Sequence, residues 1–451
     1  MHFEITREFV SELKEAVASA NEVRVLELIG DVHSADLAEI IDDLGASEGK
    51  AILQYIDSAK ASEVLSNLDE EERKKLLVEY SSAEIAETFI ENLDSDDAAD
   101  IIQDLSDEKR EEVISKIEDI EQAGDIVDLL NYEEGTAGSI MGKELVSVNA
   151  NLTVRECVLE LRRQADEIQS IYTIYVVDSD NRLLGRLSLK KLLVANTRSK
   201  IDNIYDRDLK MVKATEDQEE VARLMEKYDL VAMPVIDDIG RLLGRITIDD
   251  ALDVIKEEAE KDYQLASGIS EDIESTDSIW VLTRGRLPWL VLGLLGGLLG
   301  ARVIGVYEND LHLYPEMAFF IPLVAAMAGN VGVQSSAIVV KGLANNSMGF
   351  GGMWQKLSKE FLVGIVNASV CSALALAYNF SFGNSMMLSY TVSIALFTVI
   401  IFAALFGTFV PLVLDKYNVD PALATGPFIT TVNDITGLFI YFAIGRLLYG
   451  I

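Results

Sequence analysis

The sequence predicts a multi-domain chain: an all-α solenoid, then a duplicated α/β domain, then an α-helical polytopic membrane domain with five transmembrane helices. Three observations predict it. Charge is split unevenly between the two halves, two different internal repeats fill the first half, and five long apolar stretches fill the second.

The formal net charge is −36 over 451 residues. Residues 281–451 hold eight Lys/Arg and seven Asp/Glu, whereas the first 280 residues hold 30 and 67. So acidic a half repels nucleic acid and attracts cations. Cys157 and Cys371 are isolated and His2, His33 and His312 are scattered, so neither a disulfide framework nor soft-metal chemistry is expected. No apolar signal peptide opens the sequence, and the acidic half is expected in the cytosol. No nucleophile–base pair, Walker-type loop or metalloprotease motif occurs, so an enzyme is not expected.

The solenoid is read from residues 34–130, within a domain set at 1–132. Apolar residues recur twelve apart at Leu44, Ile56, Leu68 and Tyr80, then, after a one-residue slip, at Leu93, Leu105, Ile117 and Leu129. Twelve residues accommodate a short helix and a turn, and such units stack because none buries its apolar face alone.

The α/β repeat follows. "YVVDSDNRLLGRLSLKKLL" at 175–193 matches "PVIDDIGRLLGRITIDDAL" at 234–252, an offset of 59 residues. Each copy predicts helix, strand, tight turn, strand, helix, with boundaries at 133–200 and 201–257. From Asp249 to Asp277 the chain is dense in acid, and Asp250, Asp253, Glu257, Glu258 and Glu260 fall at helical spacings. Like charges so placed destabilise a helix by about 0.2–0.5 kcal/mol per pair, which a bound divalent cation would reverse. Residues 258–283 form the expected linker helix.

The membrane domain, 284–451, is read as spans 286–306, 314–340, 357–380, 387–414 and 421–449, each long enough to cross about 30 Å of hydrocarbon. Arg284, Arg286, Lys341, Lys356, Lys359 and Lys416 fall on one side if the N-terminus is inside, which puts the C-terminus outside. Gly293, Gly296, Gly297 and Gly300 allow close helix contact in the first span. Pro322, Gly329, Asn330, Gly332 and Gln334 predict a break or a polar cavity in the second span. Gly426, Pro427, Thr430, Thr431, Asn433 and Asp434 make the fifth span a second polar segment, and the two are expected to face each other. Asp434 is the one acid deep in any span; a carboxylate there costs about 2.5–3.5 kcal/mol on insertion scales, which points to an ion path.

Three groups of motifs carry a family resemblance. The duplicated unit resembles tandem cystathionine-β-synthase (CBS) domains. "YEEGTAGSIM" at 132–141 and "RGRLPWLVLGLL" at 284–295 flank it, and "GNVGVQSSAIVVKGLA" at 329–344 and "VDPALATGPFITTVNDITGLFIYF" at 419–442 are the most specific stretches. Together they resemble the MgtE family of magnesium channels and transporters over nearly the whole length. The CBS resemblance implies an adenine-nucleotide site, ATP or a relative, at Gly244, Thr247 and Asp250; the first copy has Gly185 and Ser188 but Lys191 in place of the acid. The MgtE resemblance implies a homodimer in the cytoplasmic membrane whose pore is lined by the second and fifth spans. It implies pore and ion-binding roles for Asp434, Asn330, Gly329 and Thr431, with Asp420 at the cytosolic mouth. It also implies Mg²⁺ as both transported and regulatory ion, with regulatory carboxylates at Asp96, Asp100, Glu219, Asp229, Asp250, Asp253, Glu258 and Asp262. Ala328 and Lys261 depart from the family pattern.

The function expected is therefore a Mg²⁺-selective channel or transporter that imports Mg²⁺ and is closed by cytosolic Mg²⁺ bound to the acidic half. Mg²⁺ sheds water reluctantly, so one carboxylate per subunit among amides and hydroxyls suits a hydrated ion. The alternatives are a Co²⁺ or Ni²⁺ carrier, a cation/proton exchanger, and a membrane-anchored nucleotide sensor.

Overall fold

A computed structural model describes residues 5–165, 168, 171–270, 273, 278–344, 352–382, 385–417, 419–424 and 426–450. The acidic stretch 271–277 lies outside the described residues apart from Ile273. The chain divides into two units, Met1–Lys256 and Glu257–Ile451.

The first unit opens with α1 Arg7–Ala18, α2 Glu22–Ile29, α3 Ser34–Leu44, α4 Ala46–Leu53, α5 Ser58–Ser66, α6 Glu70–Val78, α7 Ser82–Glu84, α8 Ser95–Gln103, α9 Asp107–Ile114 and α10 Ile120–Leu129. The twelve-residue period has a local cause. Each periodic apolar residue sits at or just past a helix end, and Ile56, Tyr80 and Ile117 stand within two residues of a side-chain helix cap. Asp57 after Ile56 accepts from the Lys60 N–H, Ser81 after Tyr80 accepts from the Glu84 N–H, and Asp119 caps α10 through the Glu121 and Gln122 N–H groups. Such caps satisfy the orphan donors of a helix start and contribute about 1 kcal/mol each. Leu68, Tyr80, Leu105, Ile117 and Leu129 are buried, so the repeat places core contacts at helix ends, with caps at three of the turns.

The α/β copies have the same topology. In the first, β1 Val146–Asn149, α11 Val154–Gln164, β2 Ile174–Val177, β3 Leu183–Leu187 and α12 Leu189–Val194 give a sheet ordered β1-β2-β3, parallel then antiparallel. In the second, β4 Val212–Lys213, α13 Gln218–Lys227, β5 Ala232–Ile236 and β6 Leu242–Thr247 repeat it, and α14 Ile248–Ala266 follows as one continuous helix into the second unit. The two hairpin turns pair with each other: the Leu183 N–H donates to the Gly240 carbonyl at 2.9 Å and the Leu242 N–H to the Asn181 carbonyl at 3.0 Å. Both turn residues have positive φ, 61° at Asn181 and 87° at Gly240, which these residue types tolerate. The helical domain shares one continuous core with the second copy, while the first copy has its own. That sharing brings α8 to the start of α14.

Among the described residues of the second unit, five helices are long and apolar enough to cross a membrane: α15 Ile279–Val306, α17 Ile321–Ala344 extended by a 3₁₀ turn from Pro315, α18 Met353–Phe382, α19 Met386–Lys416 and α20 Gly426–Tyr449, with the short α16 Glu308–Leu313 before α17. α19 packs against α17, α18 and α20, and α15 packs against α20. The expected break in the second span does not occur; α17 is continuous. Pro322 falls at its second position, where the missing N–H has no intrahelical partner to lose. The glycines serve close helix approach instead: a Cβ on Gly332 would meet Asn433 Nδ2 at 1.8 Å, and one on Gly407 would meet the Gly332 carbonyl at 2.3 Å.

Candidate functional site

The polar segments of the second and fifth spans meet where α17 and α20 pack. Thr430 and Asp434 are four apart on α20 and so share a face. That face meets Gly329: a Cβ there would lie 3.0 Å from Asp434 Oδ1 and 3.0 Å from Thr430 Cγ2. Thr430 donates to the Gly426 carbonyl at 3.0 Å. Asp434 is half-buried, and its buried Oδ1 accepts no hydrogen bond. Gly329 is what lets the carboxylate stand against the helix backbone. Asn330 and Gln334, four apart, are on an exposed face of α17. Thr431 turns elsewhere: its methyl fills the notch of Gly296 on α15, where a Cβ would meet it at 2.0 Å. Asn433 is fully buried against Gly332, with both amide atoms lacking hydrogen bonds. Asp420 lies before α20 and accepts from the Ala422 N–H at 2.8 Å, closing the short turn Pro421–Ala424.

The end of the linker helix touches the start of α20. A Cβ on Gly268, whose φ is +79°, would meet Pro427 Cγ at 2.7 Å, and one on Gly426, whose φ is +47°, would meet the Ala266 carbonyl oxygen at 2.5 Å. Glu258 and Asp262 lie on the preceding turns of α14. Lys261 holds its Nζ 3.3 Å from both Glu258 carboxylate oxygens.

A carboxylate cluster forms in the first unit where α8, the segment before β1 and the start of α14 meet. Asp94, Asp96 and Glu144 each offer an oxygen within 4.8 Å of the others. Gly142 makes room, since a Cβ there would lie 2.6 Å from Asp96 Oδ2. Glu144 is fixed by the Ser95 N–H at 2.8 Å and the Ser95 hydroxyl at 3.0 Å. Burial raises the Asp96 carboxyl well above the usual range, and Asp250, Asp97 and Glu144 add repulsion. Burial and neighbouring acids push Asp97 and Asp250 up to about 6, and Asp100 to about 7 although Arg73 opposes the rise. Asp253, one turn on along α14, is raised in the same direction. Arg245, 3.7 Å from Asp94, and Arg73 beside Asp100 offset only part of this repulsion, and several oxygen ligands so converging suit a hard divalent cation. Asp94, Asp97 and Glu144 were absent from the sequence-based set; the phrase "LDSDDAAD" carried a signal for the first two, but nothing local marks Glu144. Glu219 sits instead in an ion pair with Arg223 at 2.6 Å, and Asp229 ends α13 with φ 49°.

The nucleotide motif of the second copy is occupied by its own residues. Asp250 accepts from the Thr247 N–H at 2.8 Å and hydroxyl at 2.6 Å, and Gly244 lies under Met141 and the Gly142 carbonyl. The open space is at the first copy. A cavity of about 430 Å³ is bordered by Ile171, Tyr172, Thr173, Arg186, Ser188 and Asp206. Thr173 and Arg186 also border an adjoining cavity of about 190 Å³ that includes Lys210 and Tyr228. Lys191, at the position of the missing acid, pairs with Asp206. The combination of an apolar and aromatic wall, a carboxylate and two cationic side chains suits a base, a ribose and phosphates.

Comparison with known proteins fits this geometry. Residues 321–444 match the family described as "Divalent cation transporter" (MgtE), 32–135 match the MgtE intracellular N domain, and 137–197 and 201–257 match CBS domains. The chain is 36% identical over 316 residues to the magnesium transporter MgtE of Bacillus subtilis, 70% of each chain. It is 37% identical over 327 residues to that of Enterococcus faecalis, 72% of each chain, and 36% over 326 residues to that of Thermus thermophilus, again 72% of each. The crystal structure of the cytosolic domain of the Mg²⁺ channel MgtE in complex with ATP superposes with a TM-score of 0.51 at 37% identity, covering 54% of this chain and 99% of that one. With a duplicated CBS unit, five membrane helices and an acid set against a glycine at the packed second and fifth spans, this chain belongs to the MgtE family of magnesium transporters.

Proposed function

We propose that the chain is a homodimeric, Mg²⁺-gated importer of Mg²⁺ in the cytoplasmic membrane, with its acidic half in the cytosol. The observation that carries the reading is the approach of Asp434 to Gly329. A carboxylate with one buried oxygen free of hydrogen bonds, set against the Gly329 backbone next to Asn330 in sequence, offers charge without a closed ligand shell. Mg²⁺ retains several waters in such sites, so Asp434 acts on the hydrated ion, with its copy across the dimer axis. Asn330 and Gly329 line the same path, Thr431 positions α20 against α15, and Asp420 gathers cations at the mouth.

Regulation is assigned to the cytosolic acids. Without Mg²⁺ the carboxylates of Asp96, Asp100 and Asp250 repel, and the helical domain loosens from the second CBS copy. Mg²⁺ bridging them, with Asp94 and Glu144 as added ligands, favours the compact state; Glu219, Asp229, Asp253, Glu258 and Asp262 extend the acidic set. A ligand that binds one of two states more tightly shifts the population toward it. The Gly268–Pro427 contact carries the shift to α20. The cavity at Arg186 and Asp206 takes an adenine nucleotide, in line with the ATP complex of the related cytosolic domain.

The experiment is Mg²⁺ flux into proteoliposomes with Mg²⁺ varied on the cytosolic side. Asp434→Ala is expected to abolish flux with the fold retained by circular dichroism and gel filtration. Unchanged flux in that variant sinks the pore assignment, and flux indifferent to cytosolic Mg²⁺ sinks the gating.

A further inference from the structure

A cavity of about 390 Å³ opens in the membrane domain between α17, α18 and α19, away from the Asp434 path. Its walls are apolar: Phe320, Leu323, Met327, Leu374 and Leu396, with Cys371 at its deeper part. One polar group faces it. Asn379 is 4% exposed, and its buried Nδ2 has no hydrogen-bond partner. Leaving such a donor unmet costs about 1–3 kcal/mol, so the site is built for an acceptor.

Three properties identify the acceptor. The first is depth. Asn379 lies three residues before the end of α18 at Phe382, beside Tyr378, whose ring is 5.3 Å from that of Phe382. Aromatic belts of this kind mark the hydrocarbon–headgroup boundary. The second is direction. Cys371 lies eight residues earlier on α18, about 12 Å deeper at 1.5 Å per residue, so the cavity descends from a polar end into an apolar one. The third is chemistry. Water needs two to four polar partners and an apolar cavity with one donor does not hold it. A partner helix has its backbone carbonyls committed internally. A glycerolipid brings an ester carbonyl to this depth with an acyl chain behind it.

We infer that this cavity binds one acyl chain of a membrane glycerolipid, with the Asn379 amide donating to its ester carbonyl. Below the cavity α18 meets α19 through small residues: Gly364 stands against Ala404, where a Cβ would lie 3.5 Å from the alanine methyl, and Ala368 and Ser372 are buried on the same stripe. The chain end therefore stops where helix contact becomes tight, and the lipid acts as a wedge between α17 and α18.

The test uses the full chain in bilayers containing a phosphatidylcholine with a diazirine midway along one acyl chain, with adducts mapped by mass spectrometry. Adducts are expected to concentrate at Cys371, Ala375 and Met327. Ala375→Trp, which fills the space, is expected to lower them at least fivefold, and Asn379→Leu at least threefold. Adducts at the outward-facing Leu362 and Val363 should persist in both variants and report an intact fold. Adducts spread evenly along α18 and indifferent to Ala375→Trp overturn the inference. So does a disulfide between the Cys371 residues of two copies in the membrane, which would place a second protomer in the cavity.

Discussion

Gly426 stands so close to Ala266 that a Cβ on it would lie 2.5 Å from the Ala266 carbonyl oxygen. The last residue of the linker helix and the first residue of α20 thus meet backbone to backbone. Gly426 also has φ +47°, where a side chain costs about 1–2 kcal/mol. Gly426→Ala is expected to force the two helices apart and to weaken closure by cytosolic Mg²⁺. The check is single-channel recording across a Mg²⁺ series; a wild-type Mg²⁺ response would separate this contact from gating.

Gly332 leaves room for the buried Asn433 amide. Gly332→Ala should destabilise the membrane domain by about 1–3 kcal/mol through overpacking, read as a lower unfolding temperature in detergent. Ala328→Gly, two turns from the end of the 3₁₀ entry to α17, should leave stability within about 1 kcal/mol, the propensity cost of glycine.

The carboxylate cluster sets a pH dependence. Asp97, Asp100 and Asp250 hold protons more tightly when folded, with pKa near 6 to 7 against an ordinary value of about 3.9. Across that window the folded state binds more protons than the unfolded one, so stability falls as pH rises from about 4 to 7. Without Mg²⁺, the protection factor of α8 amides, corrected for the intrinsic exchange rate at each pH, should be higher at pH 5 than at pH 8. Saturating Mg²⁺ should protect α8 at pH 8 and have little effect at pH 5. Equal protection by Mg²⁺ at both pH values would remove these acids from the binding site.

The two nucleotide assignments separate by mutation. Arg186→Ala should weaken ATP binding by tenfold or more, measured by calorimetry on the full chain. Thr247→Ala should leave it within about twofold, because Thr247 is engaged with Asp250 at the start of α14. The reverse ranking would return the site to the second copy.

Arg446 Nε lies 2.7 Å from the buried Asp310 and its guanidinium 4.5 Å from the Tyr307 ring, tying α16 to the end of α20. Asp310→Ala should cost about 1–3 kcal/mol, since the arginine is partly solvated and can rehydrate. Thermal unfolding of the detergent-solubilised protein checks it.

Much of the architecture was legible because it is periodic. The twelve-residue recurrence reports apolar residues set at helix ends along the solenoid, and the 59-residue offset reports a duplicated sheet whose turns pair. Five apolar stretches of sufficient length leave only helices as a solution in lipid. Asp434 stood out for a similar reason: a carboxylate in an apolar run is costly, and the structure sets it against Gly329 on the second span.

What the tertiary structure decided concerns direction and neighbours. Sequence places Thr430, Thr431 and Asp434 in one polar stretch, but the helix rotates Thr431 onto Gly296 and leaves Thr430 and Asp434 facing Gly329. Sequence cannot bring Glu144 to Asp94 and Asp96, because nearly fifty residues separate them and only the core shared by the helical domain and the second CBS copy closes the distance. The nucleotide motif marks the second copy, yet there Thr247 and Asp250 bond each other, while a cavity opens at the first. Periodicity fixes which residues are buried; which polar groups then meet depends on how the buried faces pack.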